Sequence, residues 1–294
     1  MTTTLTSIQS LRDILKPHRA NKRIALVPTM GNLHDGHLSL VKLAKQHADI
    51  VVVSIFVNPT QFGEGEDLDS YPRTLEADTQ KLASIDTNYI FAPSVDDMYP
   101  VLPPPTQVLA GDISTQLCGK SRPTHFDGVG LVVSKLFNIV APDVAVFGQK
   151  DYQQLAIIRQ IARDLSYDID IVSAPIVRAD DGLALSSRNQ YLTATERSIA
   201  PTLHQEVTRL AEKLAQGVHI NNASETDLSL LQSLIDESIT QINEAGFKVD
   251  YLEVRQQNLQ DITNTKQDTA LVILTAAWLG KARLLDNQQV QVAV

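Results

Sequence analysis

The sequence predicts an α/β protein in which a Rossmann-like parallel-sheet domain, residues 1–180, precedes a smaller α+β C-terminal domain, residues 181–294. Three observations carry this reading. Short β-branched apolar runs at residues 24–28, 50–57, 89–92, 144–147 and 169–172 alternate with helical segments of about 10 to 15 residues, the pattern of βαβ units. After about residue 180 the order changes, with helical segments first and three short strands last. The loops after the first, second and fourth runs carry glycines and polar side chains. In a parallel sheet ligands bind beyond the carboxyl ends of the strands, so these loops should converge at one edge.

Residues 24–28, Ile-Ala-Leu-Val-Pro, suit a buried parallel strand, and Leu40, Leu43, Ala44 and His47 then recur at helical spacing. The loop between them brings His34 and His37 to the mouth of the helix, where unpaired N–H groups and the helix dipole favour an anion. Gly31 and Gly36 let the chain approach a phosphate closely. Two imidazoles three residues apart at a helix start face the same way and can both donate to phosphate oxygens. A surface turn that holds two histidines is the alternative; His-Asp-Gly-His directly after a buried strand favours a site.

The run at residues 50–57 is a second buried strand, ended by Asn58-Pro59 and followed by a polar loop that contains Gln61. A helix over 74–84 and a strand over 89–92 come next, and the prolines of residues 100–105 mark a connection across the surface. Then follow a helix over 128–140, a strand over 144–147, a helix over 152–165 and a strand over 169–172. In the second domain, Thr193 with Glu196 forms a capping box for a helix that restarts near Pro201 and stops at Gly217, and Ser224 caps a second helix. Strands over 249–254, 271–275 and 282–285 should pair antiparallel. Trp278 is expected in the core and the tail 287–294 is expected to be loosely held.

With 294 residues the chain has room for two domains, and 43% hydrophobic with 20% charged residues is ordinary for a globular protein. A formal charge of −9 argues against nucleic acid as the main ligand. The single cysteine, Cys118, excludes an intrachain disulfide and a cysteine-based zinc cluster and fits a reducing cytosol. No run of about 18 apolar residues spans a membrane, and the polar start has no signal-peptide core, so a cytoplasmic location is expected.

Standard nucleotide motifs fail. Gly119-Lys120-Ser121 imitates a P-loop end without its first glycine, and Gly128-Val129-Gly130 lacks the third glycine of a dinucleotide fingerprint. His34 and His37 lack the spacing and the glutamate of a zinc protease. Two other loops support a phosphate site. Gly148-Gln149-Lys150-Asp151 runs from a strand into a helix and offers an ammonium, with Asp151 able to accept from a nucleotide or from a neighbouring lysine. Leu185-Ser186-Ser187-Arg188, after the turn Asp180-Asp181-Gly182, sets two hydroxyls beside a guanidinium, a group that can grip outer phosphates as charge builds on a leaving diphosphate.

Together, Pro28-Thr29-Met30-Gly31-Asn32-Leu33-His34-Asp35-Gly36-His37, Lys150 and Ser186-Ser187-Arg188 resemble the two signature regions of the nucleotidylyl-transferring α/β superfamily. Within it the chain is similar to the pantoate–β-alanine ligase family, through further blocks at residues 56–63, 67–73, 122–128, 146–155 and 181–189. The resemblance implies ATP-dependent joining of D-pantoate to β-alanine through a pantoyl adenylate, with release of AMP and diphosphate. It implies an ATP site lined by Met30, Gly31, Asn32, Leu33, His34, Asp35, Gly36 and His37, completed by Gly148, Gln149, Lys150, Asp151, Val177, Leu185, Ser186, Ser187 and Arg188. His34, His37, Lys150 and Arg188 would carry catalysis, His37 as proton donor, with the second domain as a lid. Gln61 and Gln154 match positions that hold pantoate, which suits an amide that both donates and accepts, and Asn58 would assist.

The resemblance also implies Mg²⁺ on the phosphates and a homodimer whose partners are small molecules, neither nucleic acid nor membrane. No protein ligand of the metal is assigned; Asp78 is the one acid considered. His125 fits a substrate-lining residue or a core histidine equally well. Two rivals make different predictions: a nucleotidylyltransferase would release diphosphate without AMP, and a regulatory ATP-binding module would have no need of Gln61 and Gln154.

Overall fold

Every apolar run of the first domain contributes a strand, and those at the centre of the sheet, β2, β3 and β5, are buried on both faces. The computed structural model describes residues 2–217, 225–262 and 270–292. The chain divides into two units, Met1–Ile176 and Val177–Val294. In the first run β1 (Thr3–Leu5), α1 (Ile8–Leu15), β2 (Ile24–Thr29), α2 (Asp35–His47), β3 (Ile50–Ile55), α3 (Leu75–Ser84) and β4 (Tyr89–Phe91). The short helices α4 (Val95–Met98) and α5 (Cys118–Ser121) follow, then α6 (His125–Val140), β5 (Val144–Gly148), α7 (Tyr152–Asp164) and β6 (Asp170–Ala174).

The six strands form one parallel sheet in the order β1-β4-β3-β2-β5-β6. Because side chains alternate along a strand, the unbroken apolar runs feed two cores at once. Ile24, Leu26, Ile50, Val52 and Phe147 pack with Leu11, Leu15, Leu136, Phe137 and Ile158 of α1, α6 and α7. Ala25, Val27, Val51, Val53 and Val146 pack on the opposite face with Leu40, Val41 and Ala44 of α2 and Leu82 of α3. Each of the Val, Leu, Ile and Phe side chains among them contributes about 1.5–3 kcal/mol of transfer free energy when fully buried. The chain runs outward through β2, β3 and β4 on one side and through β5 and β6 on the other, so the order reverses between β2 and β5. That reversal is where a doubly wound sheet opens a crevice at its carboxyl edge.

The second unit contains α8 (Ala194–Ile199), α9 (Thr202–Gly217), α10 (Glu225–Glu244), β7 (Lys248–Gln256), β8 (Ala270–Leu279) and β9 (Ala282–Gln291). The Thr193–Glu196 capping box is formed, and the three strands pair antiparallel in the order β7-β8-β9. Leu203, Val207, Leu210 and Leu214 of α9 and Ile235 and Ile242 of α10 pack on Leu271, Ile273 and Leu284. Ser224, read as a cap, lies outside the described residues.

Several expectations are corrected. The unit boundary falls before Val177 rather than at Asp181, because Arg178 bridges to Ala184 and ion-pairs with Asp286. β1 and α1 went unread; α1 is capped by Ser7, whose side chain accepts from Ser10 N, and buries Leu11 and Leu15. Trp278 is 42% exposed rather than in the core; it lies one residue before the end of β8, between Lys248 and Arg283. The described part of the tail is not loose: residues up to Gln291 belong to β9, with Asp286, Asn287 and Val290 buried, and residues 293–294 lie outside the described residues.

Candidate active site

The loop after β2 is built on a buried carboxylate. Gly31 has φ +82°, and a Cβ there would stand 3.1 Å from both Asp78 Oδ2 and Ile55 Cγ2, so only glycine fits without displacement. Asp78 in α3 is fully buried; its oxygens accept from Asn32 N at 2.9 Å, Leu33 N at 2.8 Å and Thr74 Oγ1 at 3.0 Å. The acid considered for a metal is therefore spent on holding the loop. Among the described residues, no group of three or more His, Cys, Asp or Glu side chains could hold a metal ion.

His34 then caps α2, in a capping box made of imidazoles. Its Nδ1 accepts from Gly36 N at 3.2 Å, while its own N–H donates to His37 Nδ1 at 3.3 Å. The two rings lie 4.1 Å apart between centroids, tilted by 41°. An Nδ1 that accepts leaves the proton on Nε2, so each ring keeps one N–H donor for a ligand. Burial lowers the His34 pKa to about 4, helped by the charge of Lys150. Burial, then His34, then Lys150 lower the His37 pKa to about 3. Both imidazoles are thus neutral at pH 7.

The loop after β5 supplies the neighbouring charge. Residues Gln149–Asp151 make a turn that opens α7, and Lys150 Nζ lies 3.2 Å from both carboxylate oxygens of Asp151. Asp151 accepts from its neighbouring lysine, one of the roles open to it. A second cation escaped the sequence reading: Lys81 of α3 donates from Nζ to Leu33 O, and its charge also disfavours protonation of both histidines. Its signal, a lysine three residues after Asp78, is too common to read alone.

The loop after β3 carries Gln61, 8% exposed, whose Nε2 lies 3.3 Å from Met30 Sδ and whose Oε1 accepts from Asn58 Nδ2 at 3.1 Å. Asn58 would assist through Gln61. At 1% exposure it has no surface for a substrate: Nδ2 also donates to Gly128 O, and Oδ1 accepts from Tyr99 and Thr60 hydroxyls. It positions Gln61 instead. A side chain at Gly128 would run into Thr60 O and lie 2.7 Å from Gln61 Cα, so α6 packs backbone to backbone against this turn. His125 resolves as a buried bridge: its Nδ1 meets Gln61 O at 2.8 Å and its Nε2 meets Arg122 Nη1 at 3.0 Å. Arg122 in turn is held by Glu66 at 2.6 and 2.7 Å.

On α7 the adjacent glutamines differ. Gln153 is buried and clamps Cys118 N, Ile113 O and Gln116 O, whereas Gln154 is half-buried and makes no hydrogen bond with a described residue. In the second unit, Val177 and Leu185 face each other across a hairpin closed by Leu185 N to Val177 O and Ala179 N to Leu183 O, both 2.9 Å. Its outgoing arm delivers Ser186, Ser187 and Arg188, with Ser186 Oγ accepting from Arg188 N at 3.3 Å. The first unit thus places Met30 to His37, Gln61 and Gly148 to Asp151 on three adjacent strand ends, and the second presents the serines and Arg188 on one turn.

The family profile described as pantoate-beta-alanine ligase matches residues 3–289. A pantothenate synthetase of Psychrobacter sp. (strain PRwf-1) is 69% identical over 290 residues, covering 99% of each chain. That of Acinetobacter baylyi is 55% identical over 289 residues, covering 98% of each. Among solved structures, the pantoate-β-alanine ligase of Thermus thermophilus has a TM-score of 0.86 at 38% identity, over 97% of this chain and 98% of that one. The Francisella tularensis enzyme, complexed with beta-gamma ATP and β-alanine, has a TM-score of 0.79 at 36% identity, over 98% and 97%.

Proposed function

The chain belongs to the pantoate–β-alanine ligase family, whose members join D-pantoate to β-alanine at the expense of ATP, and from that premise we propose how its own residues do so. The pantoate carboxylate attacks the α-phosphorus of ATP and diphosphate leaves; the β-alanine amine then attacks the acyl carbon of the adenylate and AMP leaves. In the first step negative charge grows on the bridging and outer phosphate oxygens. Fixed N–H donors and cations aimed there lower the barrier because they need no reorganisation at the moment of reaction. The Nε2–H groups of His34 and His37 supply two such donors, and Lys150 and Arg188 supply charge. With a pKa of about 3, His37 is neutral and presents an Nε2–H, the group through which the proton-donor role implied by the resemblance would act.

Gln61 and Gln154 hold pantoate through carboxamides that donate to its carboxylate and pair with its hydroxyls. Gly31, Asn32 and Leu33 contact ATP, and Val177 and Leu185 to Arg188 are further ATP-binding residues. Mg²⁺ would supply charge neutralisation on the triphosphate; with Asp78 committed to the loop, no residue of this chain is assigned to hold it. Family resemblance also supports a homodimer and a cytoplasmic location; no described helix is long and apolar enough to cross a membrane.

The observation that carries this reading is the pair of neutral imidazoles that fix each other at the start of α2 beside Lys150. The test is AMP and diphosphate release from MgATP with pantoate alone and with β-alanine added. Sustained AMP formation only with both acids is expected. Diphosphate without AMP under every condition would contradict it.

A further inference from the structure

The second unit holds a buried ion cluster that the chemistry above does not use. Asp286 in β9 is 3% exposed, and both terminal nitrogens of Arg178 reach it, each 2.7 Å from a carboxylate oxygen. Asn287 N donates to Oδ1 at 2.7 Å, and His204 Nδ1 of α9 stands 3.4 Å from Oδ2. Burial pushes this carboxyl upward, but the Arg178 hydrogen bonds and, to a lesser degree, His204 bring it below the usual carboxylate range.

Such a pair is poorly explained as a source of stability, because desolvation of two charges offsets most of their attraction. What it provides is geometry. Arg178 Nη1 also donates to Gly182 O at 3.0 Å. Gly182 forms the turn of the 177–185 hairpin with φ +92°, and a Cβ on it would lie 2.8 Å from His204 Cδ2. The turn is therefore seated on a guanidinium from within the hairpin and on an imidazole ring from α9. Leu185 N to Val177 O closes the hairpin just before Ser186, and Asn189 Nδ2 donates back to Ala184 O at 3.0 Å. Any tilt of the turn is carried straight into Ser186, Ser187 and Arg188.

We propose that Asp286, acting through Arg178 and with His204 under Gly182, is a positioning residue that sets how tightly Ser186, Ser187 and Arg188 hold the triphosphate of ATP. This rests on the reading of those three residues as phosphate ligands, so the test separates the two. Arg178→Lys keeps a charge for Asp286, but a single ammonium cannot bond both carboxylate oxygens and Gly182 O together. The double variant Arg178→Met/Asp286→Leu removes both charges with similar volume, a replacement that is commonly neutral or stabilising for a buried pair.

In both variants the KM for ATP should rise about tenfold or more, with the KM for pantoate within about twofold of wild type. Thermal midpoints should stay close to wild type. A purely structural role would move the midpoint and leave both KM values alone. Wild-type KM for ATP in the folded double variant overturns the proposal; should that variant fail to fold, the same result in Arg178→Lys does so. Arg188→Ala is run beside them. If it too leaves ATP binding intact, the phosphate reading of the turn fails; if it weakens ATP binding while the Arg178 variants do not, only the positioning role fails.

Discussion

The His34–His37 loop and the Ser186–Arg188 turn hold their side chains by opposite means. The first is fixed mostly by itself: each histidine accepts a backbone N–H within three residues, and one carboxylate, Asp78, ties down the two amides before them. The second is seated from far away, by Arg178 against Asp286, 108 residues along the chain. A loop whose reactive groups are also its helix caps cannot lose one without loosening the other. A turn held at a distance can be retuned without touching the side chains it presents.

The largest effect that breaks this comparison is expected from His37→Ala. It removes a transition-state donor and one half of the reciprocal cap, so adenylate formation should fall on the order of a hundredfold or more. Circular dichroism should show the fold retained, and a wild-type rate would remove the assigned role. Asp78→Ala should come next, leaving the Asn32 and Leu33 amides without their acceptor. Hydrogen bonds to a charged group contribute about 1.5–3 kcal/mol each, so a stability loss of about 3 kcal/mol is expected by denaturant titration, together with weaker ATP binding.

A smaller and graded effect comes from pH. The unfolded histidines bind protons near pH 6.5, whereas the folded ones resist until about 4 and 3. Below 6.5 the unfolded chain therefore takes up protons that the folded chain refuses. The contribution of the pair is fully present above that pH and is lost as pH falls towards 3. His37→Ala should flatten the fall, which thermal melts from pH 7 to pH 4 would show.

The strand ends and the loops that carry the candidate phosphate ligands were legible in the sequence because both depend on local pattern: apolar runs that alternate with helices, and imidazoles, serines and cations at fixed short spacings. The sequence left the partners unread wherever a polar group is buried by a distant contact. Asp78 and Lys81 are ordinary helix residues until α3 meets the loop after β2. Residues 287–291 look like a polar tail because β9 buries Asp286 and Asn287 through an ion pair and backbone bonds rather than through hydrophobic side chains. The way Asn58 assists Gln61 is hidden for a related reason: Tyr99, Thr60, Gln61 and Gly128 take all of its hydrogen bonds. Gln153 and Gln154 are identical in type and adjacent, and only the packing of α7 separates the clamp from the half-buried amide.

The claim at the centre of this account is that His34 and His37 are neutral Nε2–H donors, held so by the helix they start. Following the imidazole nitrogen resonances of uniformly labelled protein by NMR from pH 8 to pH 4 reads it directly, with His34→Gln and His37→Gln for assignment. Both rings should show a protonated Nε2 and an unprotonated Nδ1, with no titration until the pH nears 4. A titration of either ring near pH 6.5, or a proton on Nδ1, would contradict the account.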